Sequence, residues 1–177
     1  MTVVKLLPAI IFGLLIWVWI CGIIGAASSA TGWAHGKNGD FGWKKGTIKL
    51  QHQNHHLTLE GSLKTGGNAA IAGSVFAIIF SILLMGLAIA RVFELGPQLL
   101  HFVGAGLSFL LAFIWMVCWA TWADKTSDKR DDFNMDPAFA FAFAIIGTLS
   151  TVVVGLLFLL SRWKDCAIVG SSNYSQY

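Results

Sequence analysis

The chain of 177 residues is 56% hydrophobic and 12% charged, with a formal net charge of +3. A water-soluble domain carries roughly 25% charged residues, so the composition excludes an ordinary soluble fold. The small, scattered positive charge excludes nucleic acid as a partner, and the length suits a single domain, 1–177.

The first element is an apolar run from about Leu6 to Ala27. Lys5 before it and "GAASSA" at its end give it the outline of a signal peptide. Its apolar stretch is longer than the ~7–15 residues of such signals, so a retained first membrane helix is expected.

A loop of residues 28–68 follows, and within it lies "TIKLQHQNHHLTLEGSL", Thr47 to Leu63. Apolar and polar residues alternate on either side of a polar centre, the pattern of a β-hairpin. With Gln53 and Asn54 at the turn, His52 faces His55, Leu50 faces Leu57 and Ile48 faces Leu59. That register puts both apolar pairs on one face. An isolated hairpin is only marginally stable in water. It must pack on something, and further extended segments from "GWAHGKNGDFGW" and the helix ends are the available supports.

The second, third and fourth apolar runs cover about Ala69 to Ala90, Gln98 to Trp122 and Pro137 to Ser161. All four runs exceed the roughly 20 residues needed to cross a ~30 Å hydrocarbon core, and none contains Asp, Glu, Lys or Arg. Open sheets cannot span lipid. The expected fold is therefore all-α, a four-transmembrane-helix bundle with a small antiparallel β-sheet from the first loop. The short "RVFELGP" link makes helices two and three antiparallel neighbours. Asp136 and Pro137 form a good start for helix four, a capping side chain and then a preset φ.

Small residues recur along the helices. Helix two has Ala69, Gly73 and Ala77; helix three has Gly104, Ser108 and Ala112; helix four has Gly147, Thr151 and Gly155 as well as Ala140, Ala144 and Thr148. Such stripes let helix backbones approach closely, either within one bundle or between copies. Trp122 suits a membrane-interface belt, whereas Trp115 and Trp119 lie deeper and suit packing. The Phe139, Phe141 and Phe143 rings spread around helix four, so some must face lipid or another subunit.

Chemistry within the spans is sparse. Pumps and transporters carry ionisable groups inside the membrane, and here only His101, near one end of helix three, lies in a span. One histidine cannot supply a bis-His haem. His52, His55 and His56, with His35 nearby, raise a metal site. The hairpin register sets His56 on the face opposite to the other two, which favours solvated turn residues. No cofactor, no metal and no enzymatic activity are expected. Cys21 and Cys118 read as small buried apolar groups. Cys166, just beyond helix four after "SRWKD", is a candidate for S-palmitoylation.

Four helices, a long β-rich first loop, a short second loop and a moderate third resemble the claudin and peripheral-myelin-protein superfamily, which includes the amastins and the γ-subunits of calcium channels. Trp33, and Phe41, Gly42 and Trp43, resemble the Trp and Gly-Leu-Trp of that family's first loop. The family's loop cysteine pair is absent, since the three cysteines are Cys21, Cys118 and Cys166. A four-helix MARVEL-type protein is the nearest rival. The resemblance implies cytoplasmic termini, an exterior β-rich loop and a plasma membrane, with an organellar membrane as the alternative. The charge count opposes that topology: Lys5, Arg91, Arg162 and Lys164 would lie inside, and Lys37, Lys44, Lys45, Lys49, Lys64, Lys125, Lys129 and Arg130 outside.

The first and third loops carry opposite net charge and lie on the same side of the membrane. They can attract each other within one molecule or between neighbours. Lacking a disulfide staple, the first loop must gain its order from the helices or from partner molecules. The functional expectation is a structural membrane protein in the bilayer that self-associates laterally, mediates adhesion through its first loop, or both. Trp33, Phe41, Trp43, Lys44, Lys45, His52 and His55 are its candidate loop contacts, and Gly73, Gly104, Ser108, Gly147, Thr151 and Gly155 its helix-packing positions. The partners would be identical copies or other membrane proteins. The alternative is an accessory subunit of a channel or energy-transducing complex. A transporter or membrane enzyme is disfavoured by the inert spans.

Overall fold

A computed structural model describes residues 3–29, 32–36, 39–50, 53–58, 60–93, 99–132 and 134–172. The elements in chain order are α1 (Val3–Ala27), β1 (Ala34–Gly36), β2 (Gly39–Phe41), β3 (Lys45–Leu50), β4 (Gln53–Thr58), α2 (Gly61–Val92), α3 (Leu99–Asp132), β5 (Met135–Pro137) and α4 (Phe139–Ser172). Four helices are long and apolar enough to cross a membrane, over Leu7–Ala27, Gly61–Arg91, Leu99–Asp128 and Phe139–Ser161. The protein is an integral, multi-pass membrane protein.

The helices form a closed square. α1 packs on α2 and α4, and α3 packs on α2 and α4. Ile11, Leu15, Val18, Leu84, Leu111, Trp115, Val154 and Phe158 fill its centre, while Ile82, Leu83, Phe113, Leu149 and Leu156 stay exposed on the outside. A helix apolar on every side suits lipid on one flank and protein on the other.

Three helices overrun the expected boundaries. α2 has 32 residues, which at ~1.5 Å per residue makes about 48 Å against a ~30 Å hydrocarbon core. It begins at Gly61 rather than near Ala69. α3 continues to Asp132, ten residues past Trp122, and the backbone of α4 remains helical to Ser172. Polar residues end an apolar run without ending a helix. The first turns of α2 and the last turns of α3 rise out of the membrane together: a Cβ on Gly66 would touch Lys125 Cβ and Thr126 Cγ2, each at 3.3 Å.

The cap between these helix ends is a five-stranded antiparallel sheet in the order β4-β3-β2-β1-β5. Its hairpin register differs from the expected one. Lys45 pairs with Thr58, Gly46 with Leu57, Ile48 with His55 and Leu50 with Gln53. Relative to the apolar matching of Ile48 with Leu59 and Leu50 with Leu57, β4 is displaced by four residues. The connection falls at Gln51 and His52, which lie outside the described residues, as does Leu59. β3 has a second neighbour on its other edge. β2 pairs Gly39 with Ile48 and Phe41 with Gly46, and a Cβ on Gly46 would enter the Phe41 ring. Trp43 N–H donates to Ser28 O at 3.2 Å, and Lys44 and Lys45 N–H to Ser29 O at 3.0 Å each. These contacts hold β3 from the side away from β4. A displacement by an even number of residues leaves strand parity unchanged.

Met135, Asp136 and Pro137 do not begin helix four. They form β5, pairing with Gly36, His35 and Ala34 of β1, and the helix starts at Phe139. Its first donors are met from the first loop. Ala138 N–H donates to Trp33 O at 2.9 Å and Ala140 N–H to Gly32 O at 2.7 Å. The backbone of the loop does the capping that Asp136 was expected to do.

Candidate functional site

The last carbonyls of a helix have no partner within it. At the end of α1 two indoles supply them. Trp33 Nε1 donates to Gly25 O at 3.2 Å, and Trp43 Nε1 donates to Ala26 O at 2.8 Å. The chain turns back between α1 and Trp33 through Gly32, whose φ of +97° favours glycine. Both expected loop tryptophans therefore point down onto the bundle.

Aromatic packing continues inward from Trp33. Its ring lies 5.3 Å from that of Trp122 on α3, and Trp122 lies 5.1 Å from Phe141 on α4. Phe141 meets Trp119 edge-on at 5.7 Å. The Arg130 guanidinium sits 5.3 Å above the Trp122 ring, a cation–π contact. Trp122 is 1% exposed, so it is no lipid-facing belt residue; it forms the floor on which the cap rests. Trp119 Nε1 donates to Thr148 Oγ1 at 3.3 Å.

These contacts sort the expected interaction residues. Trp33 and Phe41 are buried and Trp43 is half-buried, so the first two can meet no partner while the cap is folded. Lys44, Lys45 and His55 are exposed. His52 lies outside the described residues. The cap thus has an aromatic underside that belongs to the fold, with Lys44, Lys45 and His55 exposed at its rim.

Strand parity divides the sheet in the same way. Ala34, Phe41 and Met135 share the inner face and are buried. His35, Asp40 and Asp136 are opposite one another in the register of β2, β1 and β5 and share the outer face. His35 Nδ1 is bonded to Asp40 Oδ1. Sequence reading noted His35 only as a neighbour of the other histidines and missed its grouping with Asp136, because that grouping requires the third loop to add a strand to the first. The opposite loop charges were a hint that the two loops meet. They do so within one molecule, through the backbone.

The small-residue positions also have their contacts inside the bundle. A Cβ on Gly73 would come to 2.7 Å from Cys118 Cβ, and one on Gly104 to 2.8 Å from the Phe158 ring. One on Gly147 would strike Trp115, and one on Gly155 would reach Phe109 at 3.0 Å. Ser108 and Thr151 are fully buried and donate to Gly104 O and Gly147 O, each at 2.7 Å. These stripes join α2 to α3 and α3 to α4 of the same chain.

Cys21 is buried and Cys118 partly so, both as free thiols. Cys166 belongs to the helical backbone of α4. Among the described residues no three His, Cys, Asp or Glu side chains gather in a way that could hold a metal ion. The chain matches no protein-family model and no curated protein.

Proposed function

We propose that this is a non-enzymatic structural membrane protein that self-associates in the plane of the bilayer through its β-sheet cap. The observation that carries this reading is the edge strand β4. It pairs with β3 on one side, and among the described residues no strand covers its other side. Unpaired edges are templates for another strand, and natural proteins guard them with Lys, Pro, bulges or short length. β4 has six residues, Gln53-Asn54-His55-His56-Leu57-Thr58, with neither Lys nor Pro.

The membrane strengthens the case for a second copy as the occupant. Helices anchored in one bilayer hold every cap at the same height and orientation, so neighbouring β4 edges meet without a search through three dimensions. The helix stripes are already used within the bundle, which leaves the cap as the supported route. The four apolar runs contain no Asp, Glu, Lys or Arg, and His101 is the one histidine within them, which gives little support to a transport reading.

The test is mass measurement after mild detergent extraction, combined with hydrogen exchange. Discrete homo-oligomers in which β4 amides are protected, and monomers in which they are not, are expected. Lysine at the exposed positions His55 and Thr58 should abolish oligomers at unchanged melting temperature. Oligomers that persist in the double variant, or β4 amides that exchange equally in both states, would overturn the reading. A fixed hetero-complex would replace it with an accessory-subunit role.

A further inference from the structure

The direction of each backbone group along β4 can be read from its neighbour. Gly42 N–H donates to Lys45 O at 2.9 Å, so Lys45 turns its polar backbone groups toward β2. Successive residues of a strand turn theirs to opposite edges, and a hydrogen-bonded antiparallel pair exchanges both of its bonds. Gly46, Ile48 and Leu50 therefore face β4, and their partners Leu57, His55 and Gln53 bond back to β3. That directs the N–H and C=O groups of Asn54, His56 and Thr58 to the edge that no strand covers among the described residues. The sheet's other edge is not its equal. β5 is three residues long and ends in Pro137, which has no N–H to offer. Short length and proline both guard an edge, so copies joined β4 to β5 would be poorly bonded.

We propose that β4 pairs with β4 of a second copy, antiparallel about a two-fold axis at His56, and that this seam closes the assembly at a dimer. The inference rests on the reading of β4 as the self-association site and adds its partner strand, direction, register and size. Direction follows from symmetry. In a parallel pair, a residue directed at the neighbouring strand lies opposite one directed away from it. A two-fold axis along the strands sets each residue opposite its own counterpart, directed the same way, so a symmetric parallel seam cannot form. An antiparallel seam can, because its hydrogen-bonded pairs set two edge-directed residues face to face.

Register follows from how many backbone groups are met. Centred on His56, Asn54 lies opposite Thr58 of the other copy and His56 lies opposite its own counterpart, so every edge-directed group of β4 finds a partner. Centred on His55, Thr58 would lie beyond the far end of the other β4, which starts at Gln53. The same rotation keeps both inner faces, where Ala34 and Phe41 are buried, turned to one side, as two copies inserted alike in one bilayer require. With each β4 covered by the other, the interface is isologous and self-limiting.

The test is native mass measurement of the full-length protein in mild detergent, with hydrogen exchange resolved to single amides and cysteine cross-links mapped by peptide mass. Dimers without higher species are expected. In the unsubstituted chain, Gln53, His55 and Leu57 amides should be protected in monomer and dimer alike. Those of Asn54, His56 and Thr58 should gain protection on dimerisation, roughly tenfold where dimer is in about tenfold excess over monomer. His56→Cys should cross-link to itself. Asn54→Cys should cross-link to Thr58→Cys on mixing and not to itself, since its two copies would lie about 14 Å apart. A ladder of larger homo-oligomers with β4 protected, or cross-links in another register, would overturn the closed seam and leave self-association through β4 standing. Oligomers without added β4 protection, monomers alone or a fixed hetero-complex would overturn both.

Discussion

The bundle and the cap solve the same problem, holding backbones together, with opposite means. In the bundle, small residues let helices close to contact, and large ones such as Trp115 fill the gaps so left. Nothing polar is asked of the surface, because lipid covers it. In the cap, five strands of three to six residues have little core of their own. They borrow stability from helix ends: indole donors on α1 carbonyls, loop carbonyls on α4 amides, and a Trp122–Arg130 stack from α3. Loops without disulfides can thus be ordered by helices that outgrow the membrane. The dependence is mutual at the seam: α1 carbonyls accept the indole donors of the cap, and α4 amides donate to its loop carbonyls.

The largest separate effect on the cap is expected at Trp33. Trp33→Ala removes a fully buried ring from Trp122 and a donor from Gly25 O. Large-to-small core changes of this kind cost about 3–5 kcal/mol. The expected outcome in thermal and denaturant unfolding is a cap that loses order first, seen as lost protection of β1 to β3, while bundle amides stay protected. If the whole chain melts in one unchanged transition, the two regions are not separable. Trp33→Phe keeps a ring and leaves Gly25 O unmet, for a loss of about 1–3 kcal/mol.

The next effects are in the bundle. Gly73→Leu must displace Cys118 on α3, and overpacking of this sort costs about 1–3 kcal/mol. Gly155→Leu meets the Phe109 ring, which is 37% exposed and can swing toward lipid, so its cost should be smaller. Both should lower the melting temperature of the monomer itself. Gly106→Leu has no neighbour within 4 Å of its new Cβ and should be close to neutral. A stable Gly155→Leu monomer that no longer assembles would move that stripe from the inside of the bundle to an interface between copies.

Smaller still is the seam where the two regions meet. Thr148→Val deletes the acceptor for Trp119 Nε1 and should cost about 1 kcal/mol, detected as a modest fall in melting temperature and a shift in tryptophan emission. The smallest effect is expected at the rim. Lys44→Glu with Lys45→Glu alters exposed groups, and surface changes generally stay within about 0.5 kcal/mol. The monomer should be unaffected, and any change should appear only in oligomer size and its response to salt.

Composition and unbroken apolar length were enough to determine the four spans, and strict alternation of apolar and polar residues marked a β-rich segment between the first two. Those features are local, since a backbone in hydrocarbon must satisfy its own hydrogen bonds and has only the helix in which to do so. The small stripes were legible for the same reason, although their spacing could not say whether the neighbour was the same chain. Long-range contacts set the rest. The register of β3 on β2 goes with Phe41 crossing Gly46 and with Ser28 and Ser29 holding Trp43 to Lys45, and β4 pairs four residues away from the apolar matching expected of an isolated hairpin. Met135 to Pro137 became a strand because β1 offered an edge and loop one offered caps to α4. Trp33, Trp43 and Trp122 turned inward because α1 ended with open carbonyls beside a floor of aromatic rings. In the cap, short strands take their geometry from whatever they touch, and those partners lie up to a hundred residues away along the chain.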